Sequence, residues 1–485
     1  MRPSPVPPAS PRATARAGAA GWWRAWRAAA LAGGIAVLAA CASVPDARER
    51  AARQAQAGLS ADAARESYRR GHAIAADPRN ARDDFLARHL AAEEAVSGAP
   101  LVAGNRVRLL TDGPGTYQDM LRSIAQARRY VHMETYIFDD DEEGARFAEA
   151  LIAAKRRGAD VALMVDAVGT LNTPDALFQR LRDADVQVAV FNPVNPASGS
   201  RAGWSPNQRN HRKILVVDGK VGYLGGINVS AVYASSPAAE SVAPGGADGE
   251  RTGAAGAPWR DTHLRIDGPA VAQLEAVIER GWQSQAKEPL RGGGVAIAPA
   301  AGPTRVRILA NQPDRSDGYT VYLTLMSAFE SAQRSIHITM AYFVPDPAFV
   351  DALAAAARRG VDVVLVLPGF SDSSLVFHAG RSHYTRLLQA GVKLYERRDA
   401  LLHAKTAVVD GVWSTVGSSN MDWRSFALNY EVNAVVLGAD FGAGMEALFQ
   451  RDVAASVRIS PGAWQARGVD DRFMEFFSRM FERWL

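Results

Sequence analysis

The sequence predicts an α/β protein, built from two tandem copies of one sandwich fold related by an internal pseudo-two-fold repeat. Three observations carry that prediction. Strand-like and helix-like segments alternate from about residue 105 to the C-terminus. The alternation runs through twice, with matching text. Each copy also contains one of two nearly superimposable stretches, His211 to Asn228 (HRKILVVDGKVGYLGGIN) and His403 to Asn420 (HAKTAVVDGVWSTVGSSN). Both read His, any residue, Lys, four residues, Asp-Gly, then a Gly-rich turn closing on Asn. The chain has only six lysines and two of them stand at the fixed Lys position of these frames, so coincidence is a poor account of the pair.

A chain of 485 residues, 48% apolar and 22% charged, has the length for two ordinary domains and the composition of a globular protein. Its net charge of +4 is misleading. Residues 1–40 hold five arginines (Arg2, Arg12, Arg16, Arg24, Arg27) and no acid, which leaves the remainder slightly negative. A nucleic-acid partner is therefore not expected.

Those first residues form an Arg-bearing, Pro/Ala-rich start and an apolar run from Ala28 to Ala40, too short to span a bilayer comfortably. Leu38-Ala39-Ala40-Cys41 follows, and the whole resembles a bacterial lipoprotein signal. The resemblance implies cleavage before Cys41, acylation of that residue, and a periplasmic location. Ala42 after the cysteine favours the outer membrane over the inner. The alternative is an uncleaved short anchor; both place the protein at a membrane. Cys41 is the sole cysteine, which excludes an internal disulfide framework. Residues 41–100 are Ala/Arg/Glu-rich and read as a partly helical tether, with His72 and His89 expected at the surface.

The body divides into a first domain over residues 101–290, a Gly/Ala/Pro-rich linker over 291–303 and a second domain over 304–485. Arg106-Val-Arg-Leu-Leu110 is echoed by Arg305-Val-Arg-Ile-Leu309, Ala125 to Phe138 (AQARRYVHMETYIF) by Ala332 to Phe343 (AQRSIHITMAYF), and Leu151 to Asp166 by Leu353 to Leu367. Apolar spacing such as Phe147, Leu151, Ala154 marks helices, while Val161 to Val165 and Val361 to Leu367 are short apolar runs suited to a sheet covered on both faces. Residues at about 234–258 have almost no large apolar side chains and read as a mobile surface insertion.

Within each repeated stretch, Ile214 to Val217 and Thr406 to Val409 favour strand, and Asp218-Gly219 and Asp410-Gly411 favour a hairpin turn. Residues two apart share a strand face, so His211 projects with Lys213 and His403 with Lys405. Asp218 and Asp410 sit apart at the turns and read as supports. Imidazole beside ammonium suits phosphate chemistry: one histidine attacks or moves a proton, and the lysine stabilises charge on phosphoryl oxygens. Two copies meeting at an interface would divide nucleophile and acid between them in one site. His132 and His337, at equivalent strand positions among apolar residues, read as core histidines. His263, His378 and His383 have supporting or surface roles, with a lipid headgroup site around His378, Arg381 and His383 as a further option.

These stretches, with METYIFDDDEEG (Met133 to Gly144), RNHRKILVVDG (Arg209 to Gly219), PGFSDS (Pro368 to Ser373) and the text from Leu401 to Val436, resemble the phospholipase D superfamily, and within it the bacterial cardiolipin synthase branch. The resemblance covers about Asn105 to the C-terminus. It implies a mechanism without metal or other cofactor, with His211 as nucleophile forming a phosphohistidine and His403 as general acid and then base. Lys213, Lys405, Asn228 and Asn420 would hold the phosphate together with Ser418, whose place in the first half is taken by Gly226. A downstream carboxylate orients each histidine in this superfamily; Glu431 occupies that place in the second half and Asp261 in the first.

Phosphatidyl transfer to a phospholipid hydroxyl is the function this implies, with phosphatidylglycerol as lipid partner and phosphatidylethanolamine as a second option. Hydrolysis to phosphatidic acid is the alternative that the motifs do not separate. A nuclease of the same superfamily and a non-catalytic phospholipid-binding lipoprotein fit less well. The sequence is silent on any protein partner.

Overall fold

The computed structural model describes residues 89–90, 93–94, 97–195, 207–235, 257–294, 297–313 and 319–482. The expected leader, Cys41, His72 and most of the tether and insertion lie outside them. Among the described residues no helix is long and apolar enough to cross a membrane.

The first half runs β1 (Val102–Leu110), α1 (Gly113–Gln126), β2 (Tyr130–Thr135), α2 (Glu142–Arg156), β3 (Asp160–Asp166), α3 (Asp175–Asp183), β4 (Gln187–Phe191), β5 (Ile214–Val217), β6 (Val221–Gly225), β7 (Trp259–Arg260), β8 (His263–Asp267) and α4 (Val271–Gln285). The second runs β9 (Thr304–Asn311), α5 (Thr320–Ser331), β10 (Ser335–Met340), β11 (Phe343–Val344), α6 (Pro347–Arg358), β12 (Asp362–Pro368), α7 (Ser374–Arg381), α8 (Tyr384–Gln389), β13 (Lys393–Arg397), β14 (Leu401–Leu402), β15 (Lys405–Val409), β16 (Trp413–Gly417), β17 (Met421–Asp422) and β18 (Glu431–Leu437). It ends with α9 (Ala439–Ala454), β19 (Ser456–Ile459), α10 (Pro461–Gln465) and α11 (Val469–Arg479).

One 15-stranded sheet contains both halves. Outward from the centre the first half orders its strands β1-β8-β6-β5-β2-β3-β4, and the second repeats this as β9-β18-β16-β15-β10-β12-β13, with β19 added at the far edge. Antiparallel pairing of β1 with β9 joins the two sets. Strands β2, β3 and β4 are parallel, as are β10, β12 and β13, and β3 is buried along nearly its whole length. Helices α1 to α3 cover one face through Tyr117, Phe147, Leu151 and Leu177. On the other, Val271, Leu274, Val277 and Ile278 of α4 pack against Ile214, Leu224 and Leu264 and, across the junction, belong to the same cluster as Val408, Val416 and Val432. Burial of such side chains contributes about 1.5–3 kcal/mol each, so the shared cluster opposes separation of the halves.

The two Asp-Gly turns close the hairpins β5–β6 and β15–β16 with left-handed backbone, φ 56° and 67° at Asp218 and Gly219, and 52° and 70° at Asp410 and Gly411. The aspartates reach beyond the hairpin. Asp218 accepts hydrogen bonds from the amides of Arg128 (3.0 Å), Arg129 (2.7 Å) and Tyr130 (3.0 Å), fixing the entry to β2. Asp410 does the same for Gln333, Arg334 and Ser335 at the entry to β10. Asp218→Ala would leave three part-buried donors without their acceptor. It is expected to lower stability by about 2–4 kcal/mol, read as a reduced urea midpoint at unchanged slope.

His89 departs from its expected surface position. It is fully buried, with Nδ1 3.0 Å from Ser327 Oγ and its ring edge-on to Trp413 at 5.3 Å, and burial pushes its pKa down to about 3. Arg88, Leu90 and Glu93 near it in sequence give a mixed signal, and Ser327 and Trp413, which cover it, lie more than two hundred positions away. His263 and His383 are buried too, whereas His378 is partly exposed. His132 and His337 sit on equivalent strands, each with Nδ1 on a helix carboxylate: Glu275 of α4 at 2.6 Å and Glu446 of α9 at 2.7 Å.

Candidate active site

The segment entering each motif runs beside the segment entering the opposite half's carboxylate. Asn210 forms a parallel bridge with Tyr430, and the His211 amide donates to the Tyr430 carbonyl at 3.0 Å. Leu401 and Leu402 of β14 pair in parallel with Trp259 and Arg260 of β7, and the His403 amide donates to the Arg260 carbonyl at 2.8 Å. Each histidine is thereby set level with a carboxylate from the other half. His211 Nδ1 lies 3.1 and 3.2 Å from the two oxygens of Glu431, and His403 Nδ1 lies 2.6 Å from Asp261 Oδ2. Asp261 and Glu431, placed by sequence each in its own half, thus serve the opposite histidines, because the backbone pairing crosses between halves.

With Nδ1 held by a carboxylate, Nε2 of each ring is left as the reactive atom. Lys213 and Lys405 both donate from Nζ to the carbonyl of the histidine two residues earlier, at 2.5 Å in each case. The spacing of two in the motif is thus used directly. Burial pushes Lys213 down to about 7, with Lys405 adding to the effect, and Lys405 down to about 8, while Glu431 and Asp261 oppose the shift at both. Burial also lowers both histidines, His403 to about 4 with Lys405 adding to the effect, so the free protein holds neutral imidazoles near pH 7. For the carboxylates burial opposes the charge. His403 and Lys405 outweigh it at Asp261, and His211, Lys213 and Ser418 outweigh it at Glu431, so both stay below their usual range.

The expected oxyanion contacts are used differently. Ser418 donates to Glu431 Oε2 at 2.5 Å and accepts from the Val432 amide at 3.0 Å, so it braces the carboxylate. Asn228 accepts from the Ile137 amide at 3.1 Å and donates to Tyr233 Oη at 2.7 Å, which commits its side chain to the fold. Asn420 differs, with its buried Oδ1 lacking a hydrogen-bond partner among the described residues. Gly226 has a steric reason: a Cβ there would lie 2.1 Å from Asp261 Oδ1. No serine fits in the first half while Asp261 holds His403.

Four aromatic residues escaped the sequence reading. Tyr136 stands edge-on to His211 at 5.2 Å, and Lys213 Nζ lies 5.3 Å from its ring centre. Trp259, Tyr233 and Tyr342 surround His403 at 5.2, 5.5 and 6.5 Å, and Tyr342 donates to Asp372 at 2.6 Å. Tyr136 and Tyr342 fall in the equivalent segments METYIF and TMAYF, one position out of register, a signal the repeat contained.

Two buried cations flanking two reactive nitrogens make an oxyanion site. Tungstate keeps its charge across neutral pH, whereas the lysines lose theirs as pH rises through about 7 and about 8. Its affinity is expected to fall steadily between those values and beyond, as read by calorimetric titration; an affinity independent of pH would show that the lysines do not hold the anion.

Residues 120–236 and 325–453 match the family described as cardiolipin synthase, PLD-like domain. The chain is 33% identical over 390 residues to the probable cardiolipin synthase YwiE of Bacillus subtilis (strain 168), covering 78% of this chain and 72% of that one. It is 34% identical over 388 residues to a cardiolipin synthase of Geobacillus sp. (strain WCH70), covering 79% and 73%. Among solved structures, phosphatidylserine synthase from Haemophilus influenzae Rd KW20 shares the fold with a TM-score of 0.59 at 13% identity, over 81% of this chain and 96% of that one. Paired motifs, a repeated α/β sheet and these similarities agree: the chain belongs to the cardiolipin synthase family of phospholipase D-like proteins.

Proposed function

We propose that this protein is a phosphatidyltransferase that makes cardiolipin from two molecules of phosphatidylglycerol. The observation that carries the reading is the pair of histidines, each with Nδ1 on a carboxylate of the opposite half and each beside a buried lysine. In the first step His211 Nε2 attacks phosphorus, the bond to the headgroup oxygen breaks, and His403 Nε2–H gives that oxygen its proton, releasing glycerol. In the second, His403 takes the proton from a hydroxyl of the second lipid, whose oxygen attacks phosphorus and frees His211. Lys213 and Lys405 offset charge on the non-bridging oxygens. His403, neutral when the site is empty, gains its proton as the phosphodiester anion arrives beside it. Asn420 is the remaining candidate for a polar contact to substrate.

The lipoprotein reading of residues 1–41 supports this function, since both substrates are lipids. It places the protein on the periplasmic side, anchored through Cys41 in the outer membrane, and Cys41→Ser should release the chain from sedimented membranes.

The deciding experiment gives purified protein labelled phosphatidylglycerol in mixed micelles and resolves the products. Cardiolipin with an equimolar amount of glycerol is expected. Phosphatidic acid as the main product would make the protein a hydrolase, with water as acceptor, and replace the proposal.

A further inference from the structure

The C-terminal helix α11 is mounted the wrong way round for a soluble protein. A surface helix ordinarily buries its apolar stripe and shows its polar face. In α11 the buried residues are Glu475 and Ser478, and Glu475 is held by Arg467 at 2.9–3.1 Å, with Arg381 Nε of α7 at 3.7 Å. Val469, Phe473, Phe476 and Met480 are each more than half exposed, and Phe477 joins them. At 100° per residue these five side chains fall within one face, and Phe473, Phe477 and Phe481 touch in series at 6.4 and 5.2 Å. The ion pairs on the inner side prevent the helix from rolling its apolar side inward.

We propose that this face is an interfacial anchor that inserts into an anionic phospholipid surface and holds the active site against it. The occupant follows from two further features. Exposed Arg472 and Arg479 lie together along one flank of the apolar stripe, where long basic side chains reach lipid phosphates while phenylalanines enter the acyl boundary. The helix is also continuous with the site. It packs on α7, which begins two residues after Asp372, the acceptor of the Tyr342 hydroxyl, and Tyr342 faces His403. In the first half the corresponding loop after β3 exposes Val168 and Leu171, and Gly169 sits close against the Tyr136 carbonyl. Apolar side chains therefore project from the loop beside Tyr136 and, in the second half, from the helix that packs on α7. This deepens the proposed function, on which the identity of the lipid rests.

The test uses the full chain carrying Cys41→Ser, so that no acyl anchor remains, and Phe476→Cys labelled with an environment-sensitive fluorophore. Addition of phosphatidylglycerol/phosphatidylcholine vesicles should shift its emission to the blue, with quenching by lipids brominated near the headgroup. The same label on Glu279→Cys of α4 should not respond. No response at position 476 overturns the proposal. So does a label already shielded without lipid, which means a second copy of the chain if shielding grows with protein concentration, or a segment of the same chain if it does not. In a second arm, Phe473→Ser/Phe476→Ser/Met480→Ser should slow turnover of vesicle phosphatidylglycerol roughly tenfold and leave turnover of a monomeric short-chain phosphatidylglycerol unchanged. Equal loss on both, or on neither, counts against the anchor. Absence of lipid turnover by the parent protein would defeat the proposed function, while the insertion measurement would still stand.

Discussion

His211→Ala and His403→Ala are each expected to lower turnover of phosphatidylglycerol by about 10⁴-fold or more, because neither step proceeds with one imidazole missing. The two losses should differ in kind. A phosphatidyl ester with a nitrophenol leaving group needs no proton to depart, so with it the role of His403 in the first step disappears. His403→Ala should then release one equivalent of nitrophenolate in a burst and accumulate an acid-labile phosphohistidine. His211→Ala should give no burst. Full activity in either variant would overturn the two-histidine scheme, and a burst from His211→Ala alone would exchange the roles. The assignment is worth testing because the surroundings do not set the rings far apart: both have Nδ1 on a buried carboxylate, both lie beside a buried lysine, and both are lowered by burial.

What was legible in the sequence depends on the range over which each feature is encoded. Strands β3 and β12, the Asp-Gly hairpins and the pairing of His with Lys are local patterns, readable within a few residues and doubled by the repeat. The opposite-half pairing is not local. Glu431 is 220 positions from His211, and Asp261 is 142 from His403. Only the bridge of Asn210 to Tyr430 and the pairing of β7 with β14 bring them together. Tyr233 and Trp259 pack with tilted rings at 4.6 Å from opposite sides of the insertion, so no periodicity announces them. His89 fails as a surface histidine for the same reason: Ser327 and Trp413, which cover it, lie in the second half. Serine at 418 against glycine at 226 was visible as an asymmetry, but its cause, the closeness of Asp261, required coordinates.

Asp261→Asn is expected to cost about 10²–10⁴-fold on phosphatidylglycerol, since an amide no longer accepts strongly from His403 Nδ1 or supports its imidazolium. Asp261 acts as a positioning residue, so activity alone would not distinguish its role from a general loss of structure. The opposite-half pairing supplies sharper readouts. The nitrophenyl ester should restore burst release to Asp261→Asn, whose acid step is damaged, but not to Glu431→Gln, whose nucleophile is. The downfield Nδ1–H proton resonance of His403 should vanish in Asp261→Asn while that of His211 persists, and Glu431→Gln should do the reverse. Pairing of each carboxylate with its own half predicts the opposite outcome in both measurements. Gly226→Ala extends the argument without touching a polar group. Its Cβ would stand 2.1 Å from Asp261 Oδ1, so the carboxylate must move from its 2.6 Å contact with His403. The variant should fold, lose phosphatidylglycerol turnover much as Asp261→Asn does, and recover with the same activated ester. Retention of full activity by Gly226→Ala would mean that His403 does not depend on where Asp261 stands.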